Sequence, residues 1–284
     1  MRTGIIGGSG LYAIDGVEVI DRLRFDTPYG SPSDELILTQ IDGHEVVFLP
    51  RHGRGHTIQP HRINYRANIY AMKMANVERV ISISAVGSLR EHIEPGHFVI
   101  IDQFMDRTSG RDSTFFDQSI VAHVSMADPV CSSLRQHLLQ ACRDEGITTH
   151  DGGTYLSMQG PQFSTRAESE MYRMLGMDVI GMTNMPEAKL AREAEMCYAT
   201  VAMSTDYDCW HEDEADVNVA DIVEIMRDNV EKAQRMVLSM FARKKSESTF
   251  CTCRSALEHA ILTDLASQED DSIRPVHAIV ERFL

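Results

Sequence analysis

No stretch of the 284-residue chain approaches the roughly 18 consecutive apolar residues of a bilayer-spanning helix, so a membrane protein is not expected. No charged-then-apolar leader opens it. Met1-Arg2-Thr3-Gly4-Ile5-Ile6 enters a strand pattern at once, and the expected location is cytoplasmic. A basic surface is also missing: 27 Lys and Arg stand against 42 Asp and Glu, a net charge of −15. That excludes a nucleic-acid partner, because neutralising phosphates needs cations. The six cysteines form no C-x-x-C pair and show no zinc-finger spacing. His44-Glu45-Val46-Val47-Phe48 is not H-E-x-x-H, and Gly53 and Gly55 disfavour a helical metal pair of His52 with His56. No metal is expected.

What is present is an ordinary globular composition, 43% apolar and 24% charged, but with uneven charge. Between Glu45 and Glu78 no acidic residue occurs, while Arg51, His52, Arg54, His56, His61, Arg62 and Arg66 do. Such a segment fits a local anion site or, equally, a basic surface helix and loop. Most cysteines read as buried thiols, whereas Cys251 and Cys253 follow a polar, charged connection at 242–248 and are expected to be accessible.

Strand-like runs recur at Thr3–Gly7, Glu35–Gln40, Glu45–Leu49, Arg79–Ala85, His97–Gln103, Thr154–Met158, Asp178–Met182 and Cys197–Ser204. Helical patterns alternate with them at His61–Met74, Ser132–Asp144, after the capping-box sequence Thr165-Arg166-Ala167-Glu168, and at Pro186–Met196. The Met-rich stripe of Val219–Phe241 reads as core packing. This alternation predicts an α/β protein with one main domain, 1–241. A C-terminal helical extension, 242–284, should pack on it with helices at Arg254–Ala266 and Pro275–Phe283.

Chemistry-bearing residues sit where strands end, the place α/β sheets put ligand contacts. Gly7-Gly8-Ser9-Gly10 lets backbone amides and a hydroxyl approach an anion, or forms a tight turn; it fits neither G-x-G-x-x-G nor a P-loop. Arg51-His52-Gly53 follows one strand, and Ser84-Ala85-Val86-Gly87-Ser88 closes another. Ser9, Arg51, His52 and Ser84 together make one oxyanion site, with Arg supplying a planar fork, or each is only turn chemistry. Asp206 and Asp208, past the apolar run Ala199–Ser204, face one side of an extended segment. Such a pair suits a donor-rich heterocycle such as adenine, with one carboxyl as general acid. The alternative is an acidic loop running into His211-Glu212-Asp213-Glu214.

Taken in order, these segments resemble the 5′-methylthioadenosine phosphorylase branch of the nucleoside phosphorylases, from residue 4 to about 240. The resemblance is carried by Gly4-Ile5-Ile6-Gly7-Gly8-Ser9-Gly10, Arg51-His52-Gly53-Arg54 with His56-Thr57, and Asn64-Tyr65-Arg66-Ala67-Asn68. It continues through Gly87-Ser88-Leu89-Arg90-Glu91, Ile100-Ile101-Asp102-Gln103-Phe104 and Gly160-Pro161-Gln162-Phe163-Ser164 with Arg166-Ala167-Glu168-Ser169. Pro186-Glu187-Ala188 and Asp206-Tyr207-Asp208-Cys209-Trp210 complete it.

The resemblance implies the nucleoside phosphorylase fold, a central mixed sheet flanked by helices, assembled as a homotrimer or a dimer of trimers. It implies phosphorolysis of a purine nucleoside without a cofactor, inorganic phosphate being a co-substrate. Phosphate is then held by Ser9, Arg51, His52, Ser84 and Thr183, the first and fourth being positions where the family often has Thr. Ala85, Phe163 and Met182 are expected against base and sugar, and His123 in the 5′ pocket of a neighbouring subunit. Asp206 faces N7 of the base and Asp208 its 6-amino group. Beyond residue 241 only Cys251-Thr252-Cys253 matches, resembling C-x-C elements of some thermophilic members. The alternatives are a broader phosphorylase acting on adenosine, inosine or 5′-methylthioinosine, a nucleosidase using water, and a non-catalytic nucleotide sensor.

Overall fold

The structure is a computed structural model that describes residues 2–11, 14, 17–211, 219–243 and 251–284. Among the described residues, eleven strands form one mixed sheet: β1 Arg2–Gly7, β2 Val19–Leu23, β3 Leu36–Ile41, β4 His44–Pro50, β5 Val77–Ser88, β6 Phe98–Ile100, β7 Gln103–Arg107, β8 Thr149–Asp151, β9 Thr154–Met158, β10 Val179–Gly181 and β11 Cys197–Asp206. The long helices are α1 Tyr65–Met74, α2 Ser132–Asp144, α3 Arg166–Met174, α4 Asn184–Glu193 and α5 Val219–Ala242.

Four parallel strands, in the order β4-β1-β5-β11, form the centre and point their carboxyl ends at one edge. β11 is buried through Thr205, which is why it reads as a continuous apolar run rather than an alternation. The last residues of β5 also pair antiparallel with β10, through Val179–Ser88 and Ile180–Gly87. That pairing brings the end of β10 alongside Ser84 and Ala85.

Helices cover both faces. Ile69 and Met72 of α1, Ala188 and Leu190 of α4, and the tail residues Leu257 and Ile279 share one core cluster. Leu134 and Leu138 of α2 pack with Met236 and Val237 of α5 over Ile81 and Val201 on the other face. Local signals agree with these elements. Asn64 caps α1 by accepting from the Ala67 N–H at 3.1 Å, and Thr165 with Glu168 forms the capping box of α3. Each such cap is worth about 1 kcal/mol.

Some expectations need correction. His97–Gln103 is two strands, because β6 pairs with β11 and β8 whereas β7 pairs with β9, and the chain changes partners at Ile101-Asp102. β2 and β8 were not anticipated; each is short, and β2 is largely exposed. Among the described tail residues no helix forms at Arg254–Ala266, where only the turns Thr252–Ser255 and Leu265–Ser267 occur, whereas contiguous short helical turns from Asp270 to Phe283 cover the helix expected at Pro275–Phe283. Leu257, Ala260 and Leu265 are each buried by the body, and Ala122 bridges Ile261, so tertiary anchoring replaces a helical stripe. Cys253 is buried rather than accessible, and Cys251 is half-buried. The acidic run Glu212-Asp213-Glu214 and most of the polar connection at 242–248 lie outside the described residues.

Candidate active site

The carboxyl ends of β1, β4, β5 and β11 surround a cavity of about 340 Å³. Its wall includes Arg51, His52, Ser84, Ala85, Phe163, Met182, Thr183, Asp206 and Asp208. With strands about 4.8 Å apart, the three spacings from β4 to β11 span roughly 14 Å. Arg51 and His52 therefore enter from one side, the two carboxylates from the other, and Ser84 and Ala85 lie between.

Arg51 is 2% exposed, and its fork is engaged by the protein itself. Nε donates to Glu187 Oε2 at 2.9 Å and Nη2 to Glu187 Oε1 at 3.1 Å. Nη2 also reaches Ser82 Oγ at 2.6 Å and Ile6 O at 3.1 Å, and Nη1 reaches Ile83 O at 3.1 Å. Glu187, 0% exposed, accepts further bonds from Ser82 Oγ and Tyr198 OH. The carboxylate holds the guanidinium charged despite its burial. Arg51 thus presents a fixed positive charge beneath the cavity, with most of its fork already engaged by the protein.

His52 sits beside it. Its Nδ1 lies 2.8 Å from Ile58 O, and a carbonyl only accepts, so Nδ1 carries the proton and Nε2 bears a lone pair. Burial, the Arg51 charge and the stacked His56 ring, 4.3 Å away, push the imidazole down to about 4. It is neutral at physiological pH. Ser84 Oγ donates to Asn184 Oδ1 at 3.1 Å, and Asn184 Nδ2 in turn donates to Thr200 Oγ1 at 2.6 Å and Tyr198 OH at 2.9 Å.

On the opposite side, Asp206 Oδ2 accepts from Thr205 Oγ1 at 2.7 Å and Oδ1 from the Asp208 N–H at 2.8 Å. Asp208 Oδ2 accepts from Ser169 Oγ at 2.5 Å. The two carboxylates line one cavity as expected, but through a turn: Asp208 has φ 53°, a left-handed conformation Asp tolerates, not an extended one. Burial raises both carboxyls above the usual range, and the Asp206 charge raises Asp208 further. Gly87 makes room for the pair, since a Cβ there would meet Asp206 Oδ1 at 2.9 Å.

The phosphorylase superfamily matches residues 2–242. The S-methyl-5′-thioadenosine phosphorylase of Geobacter sulfurreducens is 54% identical over 93% of this chain and 92% of its own. The chain belongs to this family. Among solved structures, a methylthioadenosine phosphorylase from an antarctic soil metagenomic library superposes with a TM-score of 0.94 at 44% identity, covering 98% of both chains. A mutant of the adenosine/methylthioadenosine phosphorylase from Schistosoma mansoni, in complex with methylthioadenosine, superposes at 0.80 with 36% identity, covering 85% of this chain and 91% of its own. The nucleoside phosphorylase fold is thereby shared.

Within that family frame, most site residues expected from sequence meet at one cavity. Ser9 lies in the turn Ser9–Leu11, between Gly8 and Leu11 of the cavity wall, and its side chain falls outside the described part of the structure. His123 does not face this cavity; it is exposed and lines a separate cleft, with its N–H bonded to Ala260 O at 2.9 Å. Phe163 lies on the cavity wall but is 63% exposed. Sequence reasoning missed the support beneath Arg51: Ser82, Glu187, Asn184 and Tyr198. Glu187 shares its helix with Lys189, Arg192 and Glu193, so no local signal singled it out. It also assigned the whole α5 stripe to the core, whereas Met226 and Val230 line the cavity and Met236 and Val237 fill the core.

Proposed function

We propose that the chain cleaves 5′-methylthioadenosine with phosphate, giving adenine and 5-methylthioribose 1-phosphate. The observation that carries this reading is the polarity across one cavity: a buried cation with a neutral imidazole on one side, and two carboxyls of raised pKa on the other.

Phosphate lies over Arg51, with the Ser84 and Thr183 hydroxyls and the Gly8-Ser9 turn around it. The His52 Nε2 lone pair accepts the P–OH hydrogen of monohydrogen phosphate and so fixes its orientation. Holding the nucleophile in line replaces a bimolecular encounter, an advantage that reaches about 7–11 kcal/mol in well-oriented systems. The purine lies between Phe163 and Ala85, with the sugar over Met182. As the C1′–N9 bond breaks, N7 gains basicity and Asp206, protonated, donates to it; such general acids contribute about 10²–10⁴-fold. Asp208 accepts from the 6-amino group. Its Ser169 hydrogen bond keeps it an acceptor, which favours adenine over a 6-oxopurine. Bound phosphate stabilises the sugar cation and then attacks C1′, so no enzyme nucleophile or cofactor takes part.

Met226 and Val230 offer the 5′ substituent an apolar wall. A methylthio group gains from burial there, whereas a 5′-hydroxyl loses water without a partner. His123 completes this pocket for an adjacent copy in a homotrimer or a dimer of trimers, since it is remote from the cavity of its own chain. The test is a substrate panel of methylthioadenosine, adenosine, inosine and methylthioinosine with and without phosphate. Methylthioadenosine should lead, and only with phosphate. Equal turnover without phosphate makes the chain a nucleosidase, and no turnover makes it a sensor.

A further inference from the structure

Away from the cavity just described, Cys131, Cys197, Cys251 and Cys253 converge on one point. All four Sγ atoms lie within 4.8 Å of one another. Cys251 Sγ is 3.5 Å from Cys131 Sγ and 3.4 Å from Cys197 Sγ. The thiols come from separate places: the N-cap of α2, the first residue of β11, and the tail. Cys131, Cys197 and Cys253 are buried and Cys251 is half-buried. A tetrahedral ion with metal–sulfur bonds of about 2.3 Å needs sulfurs about 3.8 Å apart on every edge, close to this arrangement. The sequence hides it because no two of the three chain segments are near one another in sequence.

Three features of the surroundings suit a negatively charged centre. Arg192, 9% exposed, donates from Nη1 to Cys253 Sγ at 3.7 Å. Its other guanidinium nitrogen reaches the Asp128 carbonyl, and among the described residues no carboxylate forms an ion pair with it. A buried cation lacking an anion is costly. The Cys253 N–H also points at Cys251 Sγ, 3.3 Å away, and Cys131 stands at the positive end of the α2 dipole. An adjoining cleft of about 790 Å³, lined by Cys131, Cys251 and Cys253, gives access.

We propose that these four cysteines form a structural tetrathiolate site for a soft divalent cation, zinc foremost. Zn²⁺ binding would displace the four thiol protons to solvent and leave a ZnS₄ unit of charge −2, one charge of which Arg192 offsets. No oxidation takes place. The site is closed, with no position for substrate, and would tie the tail to α2 and β11. Through the contacts of Ala260 and Ile261 with the chain at 122–123, it would fix the segment that carries His123.

The experiment uses the full chain, purified anaerobically without chelator and analysed for bound metals. About one zinc per chain is expected, a four-ligand structural site being fully occupied. Cys197→Ser and Cys253→Ser should lose it, and Cys209→Ser, outside the cluster, should keep it. Because the first two variants are at buried positions, the wild type is also stripped, reduced and titrated with Co²⁺. Visible bands of a tetrahedral cobalt thiolate should grow to one equivalent and vanish on adding Zn²⁺. Retention of zinc in Cys253→Ser, a wild type that binds neither ion, or recovery of these cysteines as disulfides would each overturn the proposal.

Discussion

Arg51 and Glu187, 136 residues apart in the chain, form a two-pronged ion pair at 2.9 and 3.1 Å inside the protein. The pair joins β4 to α4 beneath the floor of the cavity. Its carboxylate does for Arg51 what solvent does for a surface arginine, and this lets a charge stand beneath the cavity at the place proposed for phosphate.

Removing either partner strands the other. Glu187→Ala should lower stability by about 3–5 kcal/mol, the range for an uncompensated buried charge. Arg51→Lys keeps the charge but not the fork, so it should raise the phosphate KM strongly and lower the melting temperature together. Urea unfolding and phosphate saturation kinetics check both. A Glu187→Ala protein as stable as wild type would show that the pair is not a foundation of the site.

His52 should remain neutral well below pH 7. Its folded pKa is lowered to about 4 from 6.5. As pH falls below 6.5 the unfolded chain takes up this proton before the folded one does. The associated stability is therefore fully present above 6.5 and is lost as pH falls toward 4. Ring resonances of His52 followed by NMR should titrate near 4, with Nδ1 protonated above that. A midpoint near 6.5 would remove the lone pair assigned to Nε2.

Asp208 sets base specificity in this scheme. Asp208→Asn can donate to a 6-oxo group, so the ratio of kcat/KM for methylthioadenosine to that for methylthioinosine should fall about 10–100-fold, the cost of a mismatched buried hydrogen bond. An unchanged ratio would move Asp208 away from the 6-position.

Assembly has its own test. If His123 acts in a neighbour's site, His123→Ala and Asp206→Ala proteins should each be impaired. Mixing and reassembling them should restore activity, because some sites then combine an intact cavity with an intact His123. Light scattering should report a trimer or a hexamer. A fully active monomer would contradict both statements.

The strands and helices legible in the sequence were those with strong local signals: the uninterrupted apolar run of β11, the leucine spacing of α2, and the Thr165–Glu168 box of α3. The candidate site residues were legible because Arg51 and Asp206 stand at strand ends, with Ser84 inside β5 near its carboxyl end, and because their order matched a family. Three things were not. The bond between Arg51 and Glu187 depends on two elements meeting in space, and no spacing rule encodes it. Met226 and Val230 share a helical stripe with Met236 and Val237, and only their position along α5, roughly 10–15 Å nearer its N-terminus, separates their fates. The four converging thiols lie on three segments joined by the fold alone. Only the first expected tail helix, Arg254–Ala266, misled, because its apolar residues imitate helical spacing while each is anchored singly to the body.

If Asp206 protonates the departing adenine, the kcat of Asp206→Asn must show it. Burial raises this carboxyl, so in the wild type the protonated fraction, and with it the rate, should decline as pH rises through that raised pKa. Asparagine fills nearly the same volume but cannot supply a proton to N7. The expected result is a kcat lower by about 10²–10⁴-fold, with a KM for methylthioadenosine changed only a few-fold and the alkaline decline of the wild type lost. A variant with wild-type kcat and an unaltered pH profile would contradict the account and return Asp206 to a structural role at the end of β11.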